Sequence, residues 1–262
     1  MAGDCRVTTN ILWVMLACLC SGIGGASIMA VWSELLLSRA CDRLHIPFPS
    51  QECDQSSHAQ VEATLRQTYM GLAQSIPAAL TVGMVSSIAD SSGRRWAMIL
   101  SFLSVLTFAA AVFLVPSKVF GIDGFWVILG ISLVCSFTGG NTATFSSAMS
   151  VIADVSVGWT PVQRTNLFML LEAALWGGGI VGPILGGYVA KIVGLRTTFL
   201  FAIIMISIAI VLLLCCFTET LREVSPMLGR FFSTCWCLFW GLPVTLGAFV
   251  HCFWVSSEAN LR

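Results

Sequence analysis

The chain has 262 residues, of which 57% are hydrophobic and 10% charged, with 13 basic and 13 acidic side chains and a mean hydropathy of +0.89. An aqueous globular domain carries about a quarter charged residues, so this composition excludes a water-soluble fold and points to lipid as the solvent. The balanced charge lacks the basic footprint of a nucleic-acid-binding protein.

Apolar runs recur at residues 11–36, 67–88, 96–115, 125–151, 166–190 and 198–218. Each is long enough to cross a bilayer, because about 20 helical residues span the roughly 30 Å hydrocarbon core. Lipid offers no partner to backbone N–H and C=O groups, so every span is predicted to be a helix. The expected fold class is therefore all-α, a polytopic bundle of six membrane helices. The first run is too long for a signal-peptide core and lacks a basic start and a small-residue cleavage site, so it reads as a retained helix. Trp32 and Glu34, near its far end, read as interfacial anchors. Charge does not orient the bundle, since six basic residues stand near each set of helix ends: Arg6, Arg94, Arg95, Arg164, Arg222 and Arg230 against Arg39, Arg43, Arg66, Lys118, Lys191 and Arg196.

The organisation expected from these runs is a six-helix bundle over residues 1–218, a polar linker over 219–230 and a hydrophobic segment over 231–262. A seventh apolar run at 231–255 has Pro243 near its middle and no helix caps, which leaves open whether it spans.

Most of the eleven cysteines lie inside the apolar runs, where Cys behaves as a small hydrophobe. No ligand spacing suggests a metal site, and no cofactor is expected. Cys41 and Cys53 both fall in the polar segment 38–66. A disulfide between them is expected if that segment faces an oxidising compartment, which would place the N-terminus in the cytosol. His45 and His58 in the same segment read as solvated loop residues.

Between the second and third runs, Asp90, Gly93, Arg94 and Arg95 read D-x-x-G-R-R. This resembles the signature of the major facilitator superfamily, with Ser86 where its leading glycine would stand. A carboxylate at a helix C-terminus needs cationic neighbours, Gly93 permits a tight reversal, and the arginines can bridge adjoining helices. An orientation-setting charged turn would use the same residues. The spacing returns in Gly187, Lys191, Gly194 and Arg196, half of a six-helix unit further on. That echo agrees with a duplication of three helices inverted in the membrane.

The fifth run carries Gly178, Gly182, Pro183, Gly186 and Gly187 in GGGIVGPILGGY, resembling the family's G-x-x-x-G-P-x-x-G-G pattern. Glycines one turn apart let a neighbouring backbone approach closely, and Pro183 loosens the helix there. A simple dimerisation face is the alternative. Glu172 lies eleven residues before Pro183. A carboxylate near the bilayer midplane costs about 2.5 to 3.5 kcal/mol, so it is expected beside the glycine stripe rather than on a lipid-facing side. Such a group can be a proton-coupling residue or a hydrogen-bonded structural acid.

The cysteine-bearing loop, ADSSGRR, GGNTATFSSAMSVIADVS and RTNLFMLLEAALWGGGIVGPILGGY together resemble the proton-coupled folate transporter family and its tetracycline-antiporter-like relatives. The resemblance covers residues 11–220, the N-terminal half of such a transporter. It implies transport of a small solute, no enzymatic activity, and a coupling role for Glu172. It also implies a cytoplasmic charge cluster of Asp90, Arg94, Arg95, Asp154 and Arg164. Polar residues in the fourth run need partners in a membrane, and Asn141 is the expected substrate contact because its amide both donates and accepts.

A half-length transporter implies the lipid bilayer, a small-molecule substrate, and either a second copy of itself or a full-length relative as partners. The alternative function is a non-transporting membrane protein that regulates or assembles with a full-length transporter. Neither the substrate, nor symport against antiport, nor the resident membrane follows from these residues.

Overall fold

A computed structural model describes residues 2–46, 49–116, 118–119 and 122–217, all within one unit, Met1–Leu221. The expected linker 219–230 and the apolar segment 231–262 lie outside the described residues. After the first, each helix begins where the sequence supplies a cap or a glycine. The first, α1 (Ala2–Arg43), is followed by a single turn, α2 (Gln51–Gln55), which opens on Ser50 accepting from the Cys53 N–H. Ser56 caps α3 (Ser57–Ser92), and Gly93, at φ 112°, ends it and lets the chain reverse directly into α4 (Arg94–Leu114). A two-residue antiparallel pair, β1 (Lys118–Val119) and β2 (Ile122–Asp123), leads to α5 (Gly124–Ser136), capped by Asp123 accepting from the Phe125 N–H.

The expected fourth span is not one continuous helix. It breaks after α5 and resumes as α6 (Gly140–Val155), because Gly139 and Gly140 adopt φ of 83° and 53°, which right-handed helix does not allow. Thr160 and Gln163 form a capping box around Pro161 at the start of α7 (Pro161–Val193). Gly194, at φ 116°, then turns the chain into α8 (Leu195–Cys215).

Among the described residues the chain makes six helical passes: α1, α3, α4, the broken α5–α6, α7 and α8. Among the described residues α1, α4, α7 and α8 are long and apolar enough to cross a membrane on those grounds alone. The polar segment expected at 38–66 is largely helical, since α1 continues to Arg43 and α3 starts at Ser57. Helix α1 packs most extensively on α7 and α8, while α4 packs on α6 and α8.

The core is built of fully buried aromatic and aliphatic side chains, including Leu36, Phe102, Phe125, Ile152, Leu171 and Phe199. Trp32 belongs to this core rather than to a membrane interface. It is 5% exposed and meets the rings of Phe108 and Phe199 edge-on, at centroid distances of 5.6 and 6.5 Å. Edge-on aromatic packing uses the ring quadrupoles and adds to the area buried.

Candidate transport cavity and charge networks

Breaking the fourth pass opens space in the bundle. A cavity of about 220 Å³ lies between α1, α3, α4, α5 and the first turn of α6. Its apolar side is made by Ile28, Met29, Val105 and Phe108, and its polar side by Gln74, Ser75, Ser104, Ser132, Ser136 and Thr142. The Gln74 amide donates to the Ser132 hydroxyl at 3.1 Å, tying α3 to α5 across it. Ser104 and Ser136 donate to the carbonyls of Ser101 and Ser132 on their own helices. No charged side chain lines the cavity among the described residues, so its polarity comes from hydroxyls, one amide and backbone.

Part of the polar stretch expected in the fourth pass does face this cavity: Gly139, Gly140 and Thr142. Ser146 instead meets the Ser86 hydroxyl at 3.3 Å, and Thr144 and Ser147 are buried. Asn141 sits in the first turn of α6, but its side chain lies outside the described part of the structure. Gln74 and Ser132 were not singled out from the sequence. The available signal was an amide inside an otherwise apolar run, which in lipid needs a partner.

On α7 the glycines divide between two faces. A Cβ at Gly178 would stand 2.7 Å from the Leu19 carbonyl, one at Gly182 2.6 Å from that of Ile23, and one at Gly186 2.8 Å from the Ser27 side chain. These three glycines set the close approach of α7 to α1. Gly187 has open space around it and Pro183 is exposed, so neither takes part in that packing. Glu172 is likewise exposed, on the α7 face shared with Trp176 and Pro183. Glu172 therefore flanks the glycine stripe as expected but is not buried with it, and the expectation that it is turned away from the outer surface of this bundle is corrected. Seven residues to Gly179 and eleven to Pro183 keep Glu172 in line with those two positions, whereas Gly178, Gly182 and Gly186 stand to one side of that line by about 120°, 80° and 40°.

At one end of the bundle Arg94 pairs with Asp90 one turn earlier, across the Gly93 turn, and with Asp154 at the end of α6, the latter at 3.1 Å. Arg94 thereby joins α3, α4 and α6. Arg95 donates to the carbonyl of Leu214 near the end of α8. Arg164 is not drawn into these ion pairs; its guanidinium lies 5.9 Å from the ring of Phe168 one turn along its own helix. The i, i+4 geometry of α7 brings that aromatic face to the guanidinium.

The opposite end holds a second network. Cys41 and Cys53 form a disulfide with Cα atoms 5.9 Å apart, pinning the end of α1 to α2 just before α3. Arg43 pairs with Glu62 at 2.9 Å and also with Asp123. Arg66, 6% exposed, reaches Glu62 at 2.7 Å and Asp123 at 2.6 Å and lies 5.0 Å from the Phe125 ring. In the sequence these residues are dispersed from the end of α1 through α2 and α3 to the start of α5, and only folding brings them together.

No family model matches the chain. It is 35% identical over 114 residues to the class E tetracycline resistance protein of Escherichia coli, a stretch covering 43% of this chain and 24% of that protein. Its structure is similar to that of the human organic anion transporter MFSD10 (TETRAN), with a TM-score of 0.59 and 17% identity over 82% of this chain and 49% of that one. The chain thus spans about half the length of the solved transporter and a quarter of the curated relative.

Proposed function

We propose that this chain, an integral multi-pass membrane protein with the fold of one half of a major facilitator transporter, moves a small solute across its membrane. The observation that carries this reading is the cavity at the broken fourth pass, where one amide and several hydroxyls converge within an otherwise apolar bundle. Such a lining can replace the hydration of a polar solute without holding it by charge. Protons are the proposed coupling ion, with Glu172 as the group that carries them.

Glu172 lies outside this cavity, on the exposed face of α7. The face also presents Trp176, Ile180 and Ile184, and α3 presents Leu72, Ile76, Leu80 and Met84. A second helical bundle laid on these faces would enclose Glu172 and bury the apolar side chains around it. That bundle is proposed to be another copy of the chain or a full-length relative. The disulfide end is assigned to the oxidising side of the membrane and the Asp90 end, with the N-terminus, to the cytosol.

A second reading takes the broad apolar surface of α3 and α7 as the main feature. In it the chain binds a full-length transporter and regulates it, without moving solute itself. The two readings separate in sealed vesicles containing only this protein, in which flux of a solute panel including folates is followed against pH. Transport requires flux that follows the proton gradient and is lost in Glu172→Gln. Absence of flux from inserted, correctly folded protein would leave the regulatory reading.

A further inference from the structure

Four arginines and two carboxylates gather at the disulfide end of the bundle. Arg43 and Arg66 share Glu62 and Asp123. Arg39 donates to the Val115 carbonyl at 3.3 Å, and Arg196 to the Phe113 carbonyl at 2.8 Å. These two guanidinium groups are therefore met by backbone, not by acid. The two halves of the cluster adjoin. Gly124 abuts the Pro116 carbonyl so closely that no side chain fits between them, and so draws together the segments that carry Asp123, the partner of Arg66, and Val115, the partner of Arg39. Arg39 accordingly stands within repelling range of both Arg66 and Arg196.

Two guanidinium nitrogens here are shut away from solvent without a hydrogen-bond acceptor among the described residues: Nη1 of Arg39 and Nη1 of Arg66. Arg66 as a whole is 94% buried, the complement of its 6% exposure. A buried cationic donor left unpaired costs more than an ordinary missing hydrogen bond, because the charge loses its solvation as well. Excess positive charge and orphaned donors thus occur at the same end of the bundle, with the buried Asp123 Oδ2 as the nearby acid, and an added anion relieves both.

We infer that Arg39 and Arg66 form a binding site for an oxyanion, a carboxylate or phosphate, at the disulfide end of the bundle. Guanidinium groups suit such a ligand because their planar N–H pairs match two oxygens at once. The site is separate from the central cavity, whose described lining is uncharged. The anion can be a free solute or the headgroup of a lipid in the adjoining leaflet.

The test uses the full chain purified in an uncharged maltoside detergent, with thermal unfolding followed as anion is added. One arm titrates inorganic phosphate against sodium chloride at equal ionic strength. The other adds phosphatidylglycerol against phosphatidylcholine. A saturable rise in the unfolding midpoint with phosphate identifies a soluble anion, and a rise confined to phosphatidylglycerol identifies a lipid. Arg39→Gln should weaken the midpoint dependence about tenfold in concentration, the loss of one charge-assisted hydrogen bond. Because the hydrogen bond Arg39 makes among the described residues goes to a backbone carbonyl and not to an acid, this variant should fold even if Arg66→Gln does not. The inference is overturned if neither anion acts beyond its control, or if Arg39→Gln responds as the native protein does.

Discussion

Arg95 at the start of α4 donates to the Leu214 carbonyl at the end of α8, while Arg196 at the start of α8 donates to the Phe113 carbonyl at the end of α4. The two helices are each 21 residues long, each follows a glycine of positive φ, and each receives the other's arginine on its last-but-one residue. Gly93 and Gly194 donate in turn to Ala89 and Ala190 at matching places. The weak echo in the sequence thus corresponds to a reciprocal exchange of hydrogen bonds, one at each end of the bundle.

Arg95→Lys and Arg196→Lys should each lower stability by about 1 kcal/mol, since a point-like ammonium replaces a directed fork near the surface. The bonds lie at opposite ends, so the double variant should be additive to within about 0.5 kcal/mol. Unfolding midpoints of the three variants in detergent check this. Strong coupling between the two would mean that α4 and α8 shift as one body.

Glycine substitutions should separate the two faces of α7. Gly178→Ala and Gly182→Ala force a methyl group against the α1 backbone and should cost about 1 to 3 kcal/mol. Gly179→Ala, with nothing within 4 Å, should be neutral or stabilising by up to about 1 kcal/mol through helix propensity. Thermal unfolding ranks the three, and equal losses at all positions would contradict the packing described.

The Cys41–Cys53 link closes a short loop, with a sequence separation of 12 residues. Its removal in a Cys41→Ser, Cys53→Ser double variant should cost about 2 to 3 kcal/mol. In intact cells a membrane-impermeant reductant followed by an impermeant thiol label should reach these cysteines from the outer side. Labelling only from the cytosolic side would reverse the proposed orientation.

Within the cavity, Gln74→Leu removes the amide that bonds Ser132 and leaves that hydroxyl facing apolar surface. If the cavity holds solute, the KM for flux should rise about tenfold, the effect of one polar contact. Phe108→Leu keeps the lining apolar and should change KM less. Equal effects of the two would argue that Gln74 serves the helix contact alone.

Which parts of this protein were legible in its sequence follows from how local the responsible physics is. The helices could be read because lipid imposes backbone hydrogen bonding on every apolar run, whatever its neighbours. Gly93, Gly194, Thr160 and Gln163 mark helix ends through interactions spanning only a few residues. The break at Gly139–Gly140 was hidden, because the same glycines and polar residues could lie within a continuous helix packed closely on a neighbour. Trp32 was misplaced for a related reason: its aromatic character suits an interface as well as a core, and only Phe108 and Phe199 on other helices decide between them.

Composition and local pattern are enough to place the chain in a membrane, to make its passes helices, and to put Asp90 and Arg94 in one tight turn. They also place Glu172 in line with Pro183, since helical periodicity needs no partner. Which side of α7 is buried depends on the packed bundle, because Gly178, Gly182 and Gly186 count as a packing face once α1 is there to fill it. The same holds for the grouping of Arg39, Arg43, Arg66, Glu62 and Asp123. Charges far apart in the chain have no preferred partner until the helices carrying them are packed, and their pairing is therefore a property of the bundle.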